Sequence, residues 1–253
     1  MRRYWIEKKD VLGERVNFSG DTFHHIFDVC RQEVGSKFEV LTEDSKAFLV
    51  QVTSVRKKEA EAQVLEERQI PPLPEPRIHL VLAVSRFPVM DAVVEKAVEL
   101  GVTSIQPVFS EFSFVRTTSA LSENKIERWE KIVRSATQQS GRGDLMILPA
   151  AVRLDDFLSS FNQKTRSLGL FAYEGNSTLS IKDYLRDQKK SRTENVADVW
   201  IFVGSEGGFS QAEVEKMRNL ALHPVTLGPQ ILRVETACMA LVSVLKYEFD
   251  LMC

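Results

Sequence analysis

The hydrophobic pattern changes character partway along the chain. Over the first seventy residues, apolar and polar side chains alternate in short runs at 15–18, 37–41, 47–52 and 60–65. A period of two puts successive side chains on opposite faces, so these runs predict short half-buried strands separated by turns. Phe23, Ile26 and Phe27 fall at helical spacing and predict one short helix over 21–29. The sum is a small barrel-like β module. From residue 78 the pattern is different. Residues 78–84 are almost continuously apolar, as expected of a strand buried on both faces. Further strands are predicted at 104–109, 145–148, 168–172 and 199–203. Helices fit between them. One, capped by Asp91, clusters Val94, Ala97, Val98 and Leu100 and stops at Gly101; another carries Trp129, Ile132, Val133 and Ala136 on one side. Strands alternating with helices predict an α/β domain with a largely parallel sheet.

The two patterns meet at residues 71–76, where Pro71, Pro72, Pro74 and Pro76 exclude helix and central strand and favour a stiff connector. The expected organisation is therefore a β domain at 1–70, a linker at 71–76 and an α/β domain at 77–253.

Composition narrows the class. A chain of 253 residues, 43% hydrophobic and 27% charged, fits one or two soluble domains. The first ten residues lack the apolar segment of an export signal. The apolar stretch at 237–245 is broken by Ser243 and is far short of the roughly 20 residues that span a bilayer. A soluble, cytoplasmic protein without membrane contact is expected. Three cysteines (Cys30, Cys238, Cys253) without C-x-x-C spacing and four histidines without H-E-x-x-H predict no metal site. His24 and His25 read as surface or core residues. With 33 basic and 35 acidic residues, any nucleic-acid contact must come from local patches. One candidate runs through Arg116, Lys125, Arg128, Lys131, Arg134 and Arg142; with Glu123, Glu127 and Glu130 interleaved, the same residues fit a solvated helix face.

Candidate chemistry lies in two late loops. Val203-Gly204-Ser205-Glu206-Gly207-Gly208-Phe209-Ser210 follows a buried strand and enters a helix through a capping box formed by Ser210 and Glu213. Its glycines let backbone turn sharply and approach a ligand with N–H groups exposed. Leu227-Gly228-Pro229-Gln230-Ile231-Leu232-Arg233-Val234-Glu235-Thr236-Ala237 runs into a final helix with Ala237, Ala240, Leu241, Val244 and Leu245 on one face. Neither G-x-G-x-x-G nor a Walker lysine is present, and a dinucleotide loop would follow the first strand of its unit. These follow the last.

Together the two loops closely resemble the paired signature loops of the RsmE family of methyltransferases. The resemblance extends to Glu95-Lys96-Ala97-Val98-Glu99-Leu100-Gly101-Val102, Pro107, Ser110-Glu111, Ala136-Thr137-Gln138-Gln139-Ser140-Gly141-Arg142 and Ala172-Tyr173-Glu174, and to the N-terminal segment with His25, Arg31 and Gly35. It implies a SPOUT-type α/β domain with a deep trefoil knot, preceded by a PUA-like β-barrel. It also implies a homodimer whose cofactor, S-adenosylmethionine, is held by Tyr173, Glu174, Val203, Gly204, Glu206, Gly207, Gly208, Leu227, Gly228, Ile231, Leu232, Arg233, Thr236 and Ala237. The implied reaction is methyl transfer to N3 of a uridine in 16S ribosomal RNA, free or within the small ribosomal subunit. Arg2, Arg31, Arg86, Arg116 and Arg142 are the expected RNA contacts.

Uracil N3 must lose its proton for attack on a sulfonium methyl. That chemistry calls for a carboxylate base and a cation to hold the charge spreading to O2 and O4. Arg233 suits the cation. Glu235 and Glu206 are candidate bases, and each also fits a structural anchor for its loop. Two segments depart from the family pattern: residues 84–91 keep only Arg86 where Lys-Gly and a further basic residue are usual, and Phe112 stands where arginine is usual. Both remove positive charge, which bears on RNA affinity. A related enzyme acting on another RNA, or a non-catalytic RNA-binding assembly factor, therefore stays open; intact Gly204, Gly207, Gly208, Gly228 and Arg233 weigh against the latter.

Overall fold

Alternation at period two becomes a six-stranded sheet. The structure, a computed structural model, describes residues 1–161, 166–175, 179–191 and 195–252, so Cys253 lies outside it. The chain divides into two units, the first formed by Met1–Pro72 with Arg134–Leu145. Its strands are β1 (Arg3–Trp5), β2 (Val11–Leu12), β3 (Arg15–Ser19), β4 (Lys37–Leu41), β5 (Lys46–Val55) and β6 (Glu59–Gln69). Their order is β1-β4-β5-β6-β3-β2, antiparallel except for the β1–β4 pair. Alternate residues face inward as expected: Val16 and Phe18, Phe38 and Val40, Val50 and Val52, Ala60 and Ala62 are buried. They close on Phe23, Ile26 and Phe27 from α1 (Gly20–Phe23) and the π-helical turn His24–Val29 that continues it.

The second unit comprises Leu73–Val133 and the described residues from Met146 onward. Its strands are β7 (Arg77–Ala83), β8 (Ser104–Phe109), β9 (Val152–Arg153), β10 (Ser167–Ala172), β11 (Leu179–Ser180), β12 (Asp198–Val203) and β13 (His223–Thr226). They form one sheet in the order β11-β13-β10-β12-β7-β8-β9, parallel at every pairing. The helices are α2 (Phe87–Glu99), α3 (Glu123–Ser140), whose residues from Arg134 count with the first unit, α4 (Leu154–Ser160), α5 (Ile181–Ser191), α6 (Gln211–Asn219) and α7 (Val234–Glu248). β7 and β12 are buried on both faces, which explains why they read as apolar runs rather than alternations.

Two expectations need correction. The helix assigned to an Asp91 cap begins earlier, at Phe87, because Pro88 in the first turn needs no N–H partner and presets the backbone. Asp91 lies inside α2, where its carboxylate accepts from Arg128 Nε at 2.7 Å and Trp129 Nε1 at 3.0 Å. The strand expected at 145–148 reduces to a single bridge between Ile147 and Ser104. Leu145 packs instead against Trp5, Leu41, Ala47 and Ile70 of the first unit.

Where β7 and β12 begin, a polar group ties the sheet together. Asp198 accepts a bidentate pair from Arg77 (2.8 and 3.0 Å), and its Oδ1 lies 3.0 Å from His79 Nε2. His79 Nδ1 is 2.7 Å from Ser104 Oγ, and its ring stacks on Trp200 at 4.3 Å. A neutral imidazole satisfies both neighbours, donating from Nε2 and accepting at Nδ1. Burial holds the His79 pKa below its ordinary value of 6.5, outweighing the opposing pull of Asp198. With the folded pKa depressed, the unfolded chain binds more protons. The stability this confers is complete above about pH 6.5 and is lost as pH falls towards the folded pKa, by at most about 1.4 kcal/mol per pH unit. His79→Gln is therefore expected to flatten the dependence of unfolding free energy on pH between 7.5 and 5.5, measured by urea denaturation. An unchanged slope refutes the assignment.

Candidate functional site

Parallel register brings the C-terminal ends of β10, β12 and β13 together: Phe171 pairs with Phe202, and Ala172 with Val225. Three loops leave the sheet at this edge, the place where open parallel sheets bind ligands. They enclose a cleft of about 380 Å³ lined by residues 172–175, 203–209, 225–227, 230–232, 234, 237 and 241. The first loop is tied to the third by Tyr173 N–H donating to Val225 O at 3.1 Å, and Tyr173 Oη reaches Gln211 Oε1 of α6 at 3.3 Å.

The second loop is held from several directions. Gly208 N–H donates to Ser205 O at 2.8 Å, closing a tight turn with Gly208 at φ +73°. Ser205 Oγ donates to Phe112 O at 2.6 Å. Glu206 Oε1 accepts from both Arg86 Nε (2.9 Å) and Arg86 N–H (3.2 Å). Burial pushes the Glu206 carboxyl pKa up, but the Arg86 guanidinium and the backbone N–H groups outweigh it and hold it below the usual range. The expected capping box is present, with Ser210 N–H donating to Glu213 Oε2 at 2.8 Å and Glu213 N–H to Ser210 Oγ at 3.4 Å. Buried Glu213 also accepts Glu111 N–H at 2.8 Å, fastening α6 to the segment after β8.

Glycine is required here for two different reasons. A Cβ on Gly204 would stand 2.7 Å from the Gly208 carbonyl carbon, so the two backbones meet where a side chain would go. Gly208 and Gly228 (φ +134°) adopt positive φ that other residues resist. Part of the lining is apolar, with Val203, Phe209, Ala237 and Leu241 buried, and the rest includes the glycines of the second loop and the acidic residues Glu174 and Glu206. Such a surface fits a ligand with a flat apolar ring, hydrogen-bonding edges and a positive centre, as an adenosine-bearing sulfonium is.

Of the predicted binding residues, Tyr173, Glu174, Val203, Gly204, Glu206, Gly207, Gly208, Leu227, Ile231, Leu232 and Ala237 line the cleft. Gly228, Arg233 and Thr236 do not, nor does the candidate base Glu235, although Leu232 and Val234 on either side of Arg233 do. Arg233 and Thr236 are exposed, Glu235 is half-buried, and neither Arg233 nor Glu235 has an ion-pair partner among the described residues. Sequence reasoning missed Ser205, Phe209, Thr226 and Gln230, which are neighbours in the same loops, and Leu241, which follows Ala237 by one helical turn.

The expected RNA contacts are scattered. Arg31 and Arg116 are exposed, and Arg2 is exposed but donates to Cys30 O at 2.8 Å. Arg86 is committed to Glu206. Arg142 departs from expectation: it is 8% exposed and holds Asp144 bidentately (3.2 and 2.8 Å), a structural brace in the first unit. Among the described residues no group of His, Cys, Asp and Glu could hold a metal, and no helix is long and apolar enough to cross a membrane.

Known proteins share this arrangement. The RNA methyltransferase domain family matches residues 71–246, and the RNA methyltransferase PUA domain family matches residues 18–65. Ribosomal RNA small subunit methyltransferase E of Aquifex aeolicus is 34% identical over 220 residues, covering 87% of this chain and 89% of that protein. A methyltransferase from Legionella pneumophila, solved with the cofactor SAM bound, superposes with a TM-score of 0.83 at 28% identity, covering 97% of this chain and 96% of that one. The ribosomal RNA small subunit methyltransferase E of Neisseria gonorrhoeae, bound to S-adenosyl methionine, gives 0.81 at 27% identity, covering 98% and 97%.

Proposed function

This chain belongs to the ribosomal RNA small subunit methyltransferase E family within the RNA methyltransferases, and from that premise we propose that the atom it methylates is N3 of a uridine in 16S ribosomal RNA. It is an S-adenosylmethionine-dependent ribosomal RNA methyltransferase. The observation that carries the reading is the glycine cradle at the C-terminal edge of the parallel sheet, where the Gly204 and Gly208 backbones meet in a partly apolar cleft.

When bound, the cofactor supplies a methyl group on a positively charged sulfur. The chain's own part is to bind, orient and manage a proton. The backbone of residues 203–208 and 225–232 holds the cofactor. Arg233, exposed between the cleft-lining residues Leu232 and Val234 and without an ion-pair partner among the described residues, receives the negative charge that spreads over the uracil oxygens once N3 is deprotonated. Between the two carboxylates, Glu235 is the better base. Arg86 keeps Glu206 ionised and occupied, so Glu206 acts as an anchor of its loop. Among the expected RNA contacts, exposed Arg31 and Arg116 suit phosphate.

The same reading makes the protein a cytoplasmic homodimer with a trefoil knot through the loops after β12 and β13, an exception to the rule that chains do not thread loops. Ile231, 83% exposed in the cleft lining, and Tyr247, 77% exposed on α7, are apolar surface that a second copy would cover.

The test is cofactor-dependent methylation of small ribosomal subunits and of bulk transfer RNA, with the product nucleoside identified by mass spectrometry. N3-methyluridine in the subunit RNA is expected. Methylation confined to transfer RNA would move the target, and methylation of neither with cofactor bound would remove the enzymatic reading.

A further inference from the structure

Two exposed phenylalanines stand two residues apart outside the lining of the cofactor cleft, one against its Gly207 wall and the other against Phe87. Phe112 is 43% exposed and Phe114 54% exposed on the segment that follows β8, unusual for large apolar side chains this close together. Both are held in place. Phe112 O accepts Ser205 Oγ, and a Cβ added to Gly207 would stand 2.9 Å from Phe112 Cβ and 3.3 Å from its Cγ, so the side chain lies against a residue of the cleft wall. Phe114 N–H donates to Val84 O at 2.8 Å, and its ring meets Phe87 edge-on at 5.6 Å. Lys125 Nζ sits 4.6 Å above the Phe87 ring. Two cations lie close along the chain: Arg86, paired to Glu206, directly precedes Phe87, and exposed Arg116, which makes no ion pair among the described residues, follows Phe114 by two residues.

We propose that Phe112 and Phe114 form a stacking platform for an unpaired base of the substrate RNA, next to the nucleotide being methylated. This rests on the RNA-methylating reading above and names how its substrate is held. Exposed aromatic faces with cations around them match what single-stranded nucleic acid needs, base faces on rings and phosphates on charges. A buried subunit interface is instead depleted of charge at its core. The position has a consequence for catalysis. The loop that contacts Phe112 also lines the cofactor cleft, so a base stacked there would lie against the wall of that cleft.

The experiment compares Phe112→Ala, Phe112→Leu and Phe112→Trp in two assays: binding of a single-stranded oligoribonucleotide carrying one 2-aminopurine, read by fluorescence quenching, and kcat/KM on small-subunit RNA. Cofactor affinity is measured in each variant by calorimetry. Stacking predicts that alanine and leucine both weaken RNA binding and kcat/KM, by roughly 5- to 150-fold. Tryptophan keeps both within about twofold, and cofactor affinity stays unchanged, because leucine retains apolar volume but has no π face. Phe114→Leu repeats the test at a second site should a Phe112 variant misfold. Wild-type behaviour of Phe112→Leu overturns the proposal, as does a shift in sedimentation for Phe112→Ala with RNA binding intact, which would make the patch a contact between copies. If the unaltered protein binds cofactor but neither binds nor methylates RNA, the underlying reading fails, and the platform with it.

Discussion

Gly204→Val is expected to weaken S-adenosylmethionine binding by roughly 100-fold, equivalent to about 2.7 kcal/mol. The new Cβ would lie 2.7, 2.8 and 2.9 Å from the carbonyl carbon, Cα and carbonyl oxygen of Gly208. All three are backbone atoms, so no rotamer change relieves the clash. The strands of the turn must part, breaking the Gly208–Ser205 hydrogen bond. The loop has little freedom to yield, since Ser205 is tied to Phe112 and Glu206 to Arg86. Calorimetric titration with cofactor checks affinity, and a thermal melt checks the fold. At Gly208 the cause would differ: an added Cβ meets nothing within 4 Å, but φ +73° strains any side chain. Gly208→Ala is therefore expected to weaken binding less than Gly204→Val, and it keeps the test open should the valine variant unfold. Normal affinity in both would place the cofactor elsewhere.

How much of this could be read from the letters depended on whether the governing interaction was local. The strands expected at 78–84 and 199–203 were legible because burial on both faces leaves a nearly continuous apolar run. The capping box of Ser210 and Glu213 was legible because its partners are three residues apart. The bond from Glu111 N–H to Glu213 was not, because it joins residues 102 positions apart. Residues 145–148 carry the apolar letters of a strand, yet Leu145 spends them on packing with Trp5 and Ile70. Arg142 read as an RNA or phosphate contact because its burial, unlike its pairing with Asp144 two residues on, is set by the packing of the unit around it. The short strand His223–Thr226 was hidden by Pro224 and by its reading as loop. It nonetheless supplies Val225 and Thr226 to the cleft. In the two late loops nearly every cleft-lining residue is a neighbour in sequence, which explains why the cleft was more readable than the packing around it.

Arg233→Ala is expected to lower the single-turnover methylation rate by about 10²- to 10³-fold, the typical loss when one donor to a developing anion is removed. Cofactor affinity should stay within about threefold, since Arg233 does not line the cleft. The side chain is exposed and makes no ion pair among the described residues, so its loss should alter stability by no more than about 0.5 kcal/mol. That combination separates charge stabilisation from its alternatives. A structural arginine would lower the melting temperature, and a cofactor ligand would raise the cofactor Kd. An arginine that only attracts RNA would raise KM and leave the saturated rate intact, with an effect that fades as salt is added. Arg233→Lys refines the test: it restores a point charge without the planar fork, so partial recovery is expected if the guanidinium meets a uracil oxygen. The arginine's position gives this prediction its physical basis. Arg233 is the N-cap of α7, between two residues that line the cleft, so the helix fixes the backbone from which its side chain extends. A normal single-turnover rate in Arg233→Ala would show that the anion is stabilised by another group, and would shift the search to the backbone N–H groups of the first turn of α7.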